Sequence, residues 1–224
     1  METRQAAAEE TRARIVAAAR EILSAPGGIG AFTIDAIAGQ AGVARMTVYN
    51  QFGSKSGLIE AVFDTLAIVR RGVERLVAAL ALDDPAATLA EFVRVFADVW
   101  QEDRLVIRRL GGLAALDPEF SQVWHAREGR RREGMRQIAA RAAAARADPG
   151  AIDVEAATAA LYAILSPEAF EAMAGADRTF EEVAPIVHQL ARRALGLDGR
   201  APVSLPGEGA RPGSAPRPAP PERR

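Results

Sequence analysis

A cluster of polar side chains lies between Arg45 and Lys55, and its residue types are those that contact nucleic acids. Arginine donates two hydrogen bonds to guanine, asparagine and glutamine pair with adenine, and apolar side chains contact the methyl group of thymine. Hydroxyl groups and lysine donate hydrogen bonds to phosphate oxygens. The residues that can supply this chemistry are Arg45, Met46, Thr47, Tyr49, Asn50, Gln51 and Lys55.

These side chains need a scaffold, and the apolar residues around them predict a helix-turn-helix over residues 34–53. Ala38 is small where a second helix would approach, Gly42 tolerates the positive φ of the turn, and Val48 anchors the second helix. An apolar underside is completed by Ile37, Ala41, Val43 and Phe52. Because a helix repeats every 3.6 residues, the polar cluster then faces outward or lies at the flanks.

Two further residues extend the predicted contact surface. Thr33 is expected to cap the first helix, where its hydroxyl and the free backbone N–H groups suit a phosphate. Lys55 follows the predicted cap Ser54, and the helix dipole disfavours a cation there, so a phosphate partner explains it better. For any single residue a solvated helix face is a competing interpretation, but the agreement of turn, small residue and anchors favours a DNA-facing surface.

The chain as a whole predicts an all-α fold of about nine helices, because helix formers dominate and β-branched runs are rare. The predicted helices cover about 8–24, 33–41, 44–52, 54–80, 85–100, 103–116, 117–146, 153–174 and 179–195. Pro167 is expected to kink the eighth. The domains expected are a three-helix DNA-binding domain at 1–55, a helical regulatory and dimerisation domain at 56–196, joined to it by the long fourth helix, and a disordered Pro/Gly/Arg-rich tail at 197–224.

Composition excludes several classes of protein. The 224 residues carry a net charge of −1, so any nucleic-acid contact must come from a local patch. The absence of cysteine excludes disulfides, thiolate zinc sites and a cysteine nucleophile. No apolar run is long enough for a membrane span, and the charged N-terminus lacks a signal-peptide core, so we expect a cytoplasmic protein without a membrane partner.

The regulatory half offers aromatic and aliphatic side chains that could form a core or a pocket. The pocket candidates are Phe92, Phe96, Trp100, Leu110, Trp124, Tyr162 and Phe170. Few buried charges are expected, which favours an apolar or aromatic ligand. The charged run 125–133 could bind an anion or an acidic partner, but a solvated helix face is the favoured interpretation. His125 and His188, the two histidines, lie far apart, so no metal site or cofactor is expected.

The segment Phe32–Phe63 resembles the TetR (tetracycline-repressor-like) family of bacterial transcriptional regulators. The residues that carry the resemblance are Thr33, Ala41, Gly42, Val43, Thr47, Tyr49, Phe52, Lys55 and Leu58. The resemblance implies a homodimer through the last two helices, an internal ligand pocket and release of DNA when ligand binds. Met46, Asn50 and Gln51 depart from the commonest family pattern, so the operator sequence cannot be transferred.

The sequence therefore predicts a ligand-responsive regulator, most simply a repressor, that binds an inverted repeat in double-stranded operator DNA as a homodimer. The dimer is expected through residues 153–174 and 179–195, whose apolar stripe includes Val183, Ile186, Val187 and Leu190. The alternative is a helical small-molecule-binding protein or an enzyme, but no catalytic residues are visible. An adaptor protein would leave the polar helix face unexplained.

Overall fold

The computed structural model describes residues 2–148, 151–200 and 202, and it confirms the predicted all-α class. These described residues form twelve α-helices and no strand. The helices, in chain order, are α1 Glu2–Ser24, α2 Gly28–Ala31, α3 Ile34–Ala41, α4 Arg45–Phe52, α5 Lys55–Phe63, α6 Val73–Leu80, α7 Pro85–Glu102, α8 Arg104–Leu116, α9 Pro118–Ala144, α10 Val154–Ile164, α11 Pro167–Ala174 and α12 Phe180–Ala194. A π-helical segment, Ile68–Gly72, lies between α5 and α6.

Several helix starts are fixed by local side-chain chemistry. The Thr33 hydroxyl accepts a hydrogen bond from the Ala36 N–H at 3.2 Å, and the Ser54 hydroxyl accepts one from Gly57 at 3.0 Å. Asp117 caps α9 in the same way, with Pro118 at the first helical position. Each cap satisfies backbone donors that a helix start leaves without partners, which confirms the predicted starts at these positions.

The long helix predicted over residues 54–80 is wrong. Helix α5 ends at Phe63, a turn follows at residues 64–66, and the π-helical segment leads into α6. The Asp103 carboxylate accepts a hydrogen bond from the Ala67 N–H at 2.5 Å, and Arg20 donates to the Thr65 hydroxyl at 3.0 Å. These contacts from distant parts of the chain take the place of the helical hydrogen bonds that local sequence favours.

Two other boundaries differ from the prediction, in addition to the split of the long helix. Pro167 does not kink one helix but starts α11, where the Ser166 hydroxyl accepts a hydrogen bond from Ala169 at 3.1 Å. Residues 28–31 form a helical turn inside a predicted connector. By contrast, α9 runs from Pro118 to Ala144 without a break, as expected of a single helix. These changes raise the count from the predicted nine to twelve in the described residues.

The helices share one continuous apolar core. At the N-terminal end, α1 packs against α3 and α5, and α4 packs against both α3 and α5. In the rest of the chain, α12 packs against α7, and α9 packs against α8 and α10. Contacts of α1 with α8 and of α5 with α9 join these two groups of helices. The N-terminal helices α1 and α5 therefore lie directly against the helices that form the remainder of the fold.

Most of the segment predicted to be a disordered tail lies outside the described residues. At its start, the Leu197 N–H donates to the Arg192 carbonyl at 2.9 Å, and the Leu197 side chain packs partly against the core. Within the described part of the chain, no helix is both long and apolar enough to cross a membrane.

Candidate nucleic-acid interface and ligand cavity

The predicted helix-turn-helix is formed by α3 and α4. Gly42 ends α3 with φ 66° and ψ 39°, a left-handed conformation that glycine adopts without steric cost. The Val43 N–H then donates to the Ala38 carbonyl at 3.0 Å, which closes the turn. Ile37, Ala38 and Val48 are buried beneath the two helices. The scaffold residues therefore occupy the positions that their spacing predicted.

The outward face of α4 carries the predicted polar cluster. Arg45, Met46 and Asn50 are exposed, while Thr47, Tyr49 and Gln51 are half-buried at the flanks. Met46 leaves 63% of its surface accessible, although it is a large apolar residue. A side chain this exposed contributes little to the core, so it is available for contact with a partner.

Arg45 already has partners within the helix-turn-helix. Its Nη1 donates to the Asp35 carboxylate at 2.7 Å, and its Nη2 donates to the Tyr49 hydroxyl at 3.4 Å. Hydrogen bonds with Tyr49 and with Asp35 raise the pKa of Arg45 above its ordinary value. These two contacts hold the Arg45 guanidinium between α3 and α4. A base or phosphate would have to compete with Asp35 for this guanidinium.

Thr33 and Lys55 lie at the starts of α3 and α5. Thr33 is exposed, and its hydroxyl is engaged as the cap of α3. The Lys55 ammonium lies 5.5 Å from the centroid of the Phe32 ring, within the range of a cation–π contact. The aromatic ring thus offsets part of the unfavourable interaction between the Lys55 charge and the helix dipole. Sequence reasoning explained the position of Lys55 by a phosphate partner alone.

Sequence reasoning missed two residues that hold α4 in place. Arg12 of α1 donates to the Gln51 carbonyl at 2.7 Å, and its guanidinium lies 4.3 Å from the centroid of the Phe52 ring. Gly57 of α5 allows close approach to α4, because a β-carbon there would overlap the Phe52 carbonyl oxygen. Neither role is visible in the sequence, since both depend on how separate helices meet.

A buried carboxylate connects α1 to the remainder of the chain. Asp103 is 1% exposed; it accepts hydrogen bonds from the Arg20 guanidinium and from the Ala67 N–H. Arg20 also donates to the Thr65 hydroxyl. This network joins α1, the turn after α5 and the start of α8, which are the elements between the helix-turn-helix and the rest of the fold.

A cavity of about 350 Å³ lies between the π-helical segment, α6, α7 and α9. Its volume is at the lower end of the range for small-molecule sites, roughly 300–1,000 Å³. The predicted residues Phe92, Phe96 and Trp100 line it. The rings of Phe96 and Trp100 stack with centroids 5.2 Å apart, and the Trp100 indole N–H donates to the Leu165 carbonyl. The aromatic wall is therefore fixed in place.

The other predicted pocket residues lie elsewhere. Leu110 and Phe170 are fully buried in the core, and Phe170 contacts Phe180. Trp124 is half-buried and packs edge-on against Phe63 at 5.9 Å. Tyr162 lies beside the cavity rather than in its lining; its hydroxyl donates to Glu128, and burial followed by this hydrogen bond raises its pKa.

One wall of the cavity is formed by part of the charged run 125–133, of which Arg130 and Glu133 are also exposed to solvent. The charged lining residues of α9 are Arg127, Glu128, Arg130, Arg131 and Glu133. The Arg127 Nη2 donates to the Asp64 carboxylate at 2.7 Å, and the guanidinium lies 4.2 Å from the centroid of the Phe63 ring. The cavity therefore combines an apolar side with an arginine-rich side.

No metal-binding group is found in the part of the chain that the structure describes: no three His, Cys, Asp or Glu side chains are placed to hold an ion. Two candidate functional features of the described residues are the exposed face of α4 and the cavity next to α6.

Comparison with known proteins agrees with this geometry. Residues 15–62 match the family model for bacterial regulatory proteins of the tetR family. No curated protein matches the chain significantly. The match runs from the second half of α1 to near the end of α5, and it confirms the resemblance inferred from the sequence.

Solved structures show the same fold over most of the chain. The TetR family transcriptional regulator PfmR from Thermus thermophilus is 24% identical, with a TM-score of 0.57 over 80% of this chain and 96% of its own. A TetR-like transcriptional regulator from a Rhodococcus species is also 24% identical, with a TM-score of 0.57 over 85% of this chain and 97% of its own. The chain thus has the fold of TetR-family regulators beyond the matched segment.

Proposed function

We propose that this chain, whose residues 15–62 match the tetR family of bacterial regulatory proteins, is a ligand-responsive transcriptional repressor. The observation that carries the proposal is the exposed face of α4, which presents hydrogen-bonding and apolar side chains from a rigid helix-turn-helix. In this role α4 enters the major groove of double-stranded operator DNA. The protein acts in the cytoplasm, where the chromosome lies.

The residues of the interface divide by the chemistry they offer. Arg45, Asn50 and Gln51 present donors for base edges, and Met46 offers an apolar contact for a thymine methyl group. Thr33, Thr47, Tyr49 and Lys55 lie where hydroxyl and ammonium groups would contact phosphates. Asp35 holds Arg45 until DNA replaces it as the partner.

A homodimer would place two such helices on an inverted repeat. Support for a dimer through α10 to α12 comes from the outer face of α12, where Ile186 and Leu190 leave 44% and 42% of their surfaces accessible. On the inner face of the same helix, Val183 and Val187 are buried in the protomer's own core. The predicted stripe therefore has two sides, and the outer side is available to a second copy.

The cavity suits a small-molecule effector that releases DNA. Helix α5 follows directly after α4, the helix proposed to enter the major groove. Helix α9 and its cap residue contact α5 at both ends. The Ser56 hydroxyl donates to Asp117 at 3.3 Å near the start of α5, and Arg127 donates to Asp64 just after its end. A ligand between α6, α7 and α9 acts through these contacts only if it binds the DNA-bound and DNA-free conformations with different affinity.

The DNA-binding role is tested with the promoter DNA that flanks the protein's own gene. Fluorescence anisotropy should show binding that weakens steeply with salt, because arginine and lysine release counterions from the phosphates. Tyr49→Ala and Lys55→Ala should each weaken binding, whereas Leu116→Ala, at an exposed residue of α8, should not. Salt-insensitive binding, or equal affinity in all three variants, would argue against the proposal.

The cavity also favours one alternative, a helical protein that binds a small molecule without binding DNA. The same titration separates the two roles. Specific binding to the flanking DNA supports the regulator, and its absence together with ligand binding supports the alternative.

A further inference from the structure

The position of Arg127 is not explained by the stability of the fold alone. It lies on the charged wall of the cavity, and only 18% of its side-chain surface is accessible. Its Nη2 donates to Asp64, but its Nε is buried without a hydrogen-bond partner among the described residues. Leaving a buried charged donor unsatisfied costs free energy, so this nitrogen has capacity for an acceptor that the protein itself does not provide.

The acidic residues of the same wall are already engaged. Glu128 accepts hydrogen bonds from Arg131 at 2.6 Å and from the Tyr162 hydroxyl. Glu133 accepts two from Arg136, both at 2.8 Å, and these hydrogen bonds lower its pKa. Of the three lining arginines, Arg131 pairs with Glu128 and Arg127 pairs with Asp64. Glu133 pairs with Arg136, which is not a lining residue, so these pairs leave a net positive charge on the α9 side of the cavity. An anion placed here meets a net attractive wall.

The opposite wall is apolar and aromatic. Phe92, Phe96 and Trp100 of α7 lie across the cavity from α9, and Val73 and Val77 of α6 leave 52% and 63% of their surfaces accessible at its edge. Burial of such surface stabilises a ligand in proportion to the apolar area that leaves water. A ligand that satisfies both walls must be apolar at one end and anionic at the other.

We infer that the effector is an amphipathic carboxylic acid whose apolar body packs against α6 and α7 and whose carboxylate accepts hydrogen bonds from Arg127. The inference rests on the proposed function, because it names the chemical class of that regulator's effector. A planar guanidinium binds a carboxylate through two parallel hydrogen bonds, and Nε is one of the donors of such a fork. This assignment refines the expectation of a moderately apolar or aromatic ligand by adding a carboxylate.

The same contact supplies a link to the DNA-binding helices. The ligand carboxylate competes with Asp64 for the guanidinium, and Asp64 is the C-cap residue directly after α5. When the ligand takes Arg127, α9 no longer holds the end of α5 through this ion pair. The conformation in which Arg127 is free of Asp64 is then the one that the ligand stabilises.

The test measures binding of defined probes to the full chain in the absence of DNA. Decanoate and 4-phenylbutanoate are compared with decanol, 4-phenylbutanol and decylamine by calorimetry and thermal shift. The acids should bind at least about tenfold more tightly than the matched alcohols, because a charge-assisted pair is worth that much or more. Decylamine should bind no more tightly than decanol, since it brings a cation to an arginine-rich wall.

Variants assign the contact to one residue. Arg127→Gln should weaken binding of the acids by about tenfold or more and leave the alcohols unchanged. The matched control Arg130→Gln removes a second arginine of the same wall and should have a much smaller effect. Asp64→Asn should tighten binding of the acids, because it removes the competing carboxylate.

Equal binding of acids and alcohols by the unaltered chain overturns the inference, whether or not the variants fold. Failure of both acids to bind also overturns it, as does equal weakening in Arg127→Gln and Arg130→Gln. Because no DNA is present, these outcomes are independent of the promoter titration. A chain that binds promoter DNA but not the acids retains its proposed function and loses only this effector class.

Discussion

Arg20, on the first helix, donates a hydrogen bond to the carboxylate of Asp103, which is buried at the start of α8. Eighty-three residues separate the two in the chain. The other carboxylate oxygen accepts a hydrogen bond from the Ala67 N–H, directly after the turn that interrupts the predicted long helix. One side chain thus fixes both the position of α1 and the path of the chain after α5.

Asp103→Asn should lower the free energy of unfolding by about 3 kcal/mol, because it leaves the Arg20 guanidinium without its charge partner in a largely buried site. Urea denaturation measures the change. The control Asp98→Asn alters a half-exposed carboxylate that pairs with Arg71, and it should cost about 1 kcal/mol or less. Equal effects of the two substitutions would show that the buried pair has no special role.

Gly57→Ala should destabilise the helix-turn-helix, although alanine is the better helix former. The added β-carbon would overlap the Phe52 carbonyl oxygen, so α4 and α5 must separate. Gly39→Ala is the matched control: Gly39 lies in α3 with open space around it, and the change should stabilise by up to about 1 kcal/mol. In thermal unfolding, Gly57→Ala should lower the midpoint temperature and Gly39→Ala should raise it. Stabilisation by both substitutions would exclude the proposed close contact.

Met46→Ala should change DNA binding without changing stability. Because Met46 is 63% exposed, its truncation should alter the free energy of unfolding by less than about 0.5 kcal/mol. Affinity for the promoter DNA should fall, and the preference among variant operators should shift. Leu116→Ala removes an equally apolar residue that is 75% exposed on α8, and it should alter neither quantity. Unchanged DNA binding in Met46→Ala would remove this residue from the interface.

Leu190→Glu should dissociate the proposed dimer while the protomer stays folded. Leu190 lies on the outer face of α12 and contributes little to the protomer's core, so helicity should be retained. A charge buried between two copies has no partner there and should prevent association. Sedimentation velocity measures the mass, with Leu116→Glu as the control. A dimer that survives Leu190→Glu would place the interface elsewhere.

Stability should fall as the solution is acidified through the titration range of His188. Burial, followed by the charges of Arg192 and Arg94, holds the pKa of His188 below its ordinary value of 6.5, and its Nε2 is buried without a partner among the described residues. The unfolded chain therefore binds this proton more readily than the folded one, so the stabilisation is complete above pH 6.5 and is lost as pH falls towards the folded pKa. His188→Gln should reduce the slope of stability against pH below pH 6.5, where the unfolded chain binds this proton and the folded chain does not. An unchanged slope in that variant would show that His188 does not contribute.

The helix-turn-helix was predictable because its determinants are local. Thr33 caps α3, Gly42 supplies the left-handed turn, and Val48 anchors α4, all within sixteen residues of one another. Each acts through its own backbone or through a neighbouring turn, so spacing alone identified them. The exposed face of α4 followed from the same period.

The cavity was only partly predictable. Phe92, Phe96 and Trp100 were found because aromatic residues at helical spacing lie on one face of α7. The same reasoning added Leu110 and Phe170, which are buried in the core. The sequence pattern of an apolar residue is the same whether the residue fills a core or lines a pocket. The role of Arg127 could not be found in this way, because a charged run on one helix is ordinarily solvated.

The sequence by itself determined the all-α class, the helix-turn-helix and the polar face of α4, because caps, turn glycine and apolar period act over a few residues. Only the tertiary structure decided where the predicted long helix breaks and which side chains enclose the cavity. The break depends on Asp103, which reaches the Ala67 N–H from 36 residues away. The charged wall depends on how α9 packs against α7 and α5. Both are contacts between distant parts of the chain, and no local pattern encodes them.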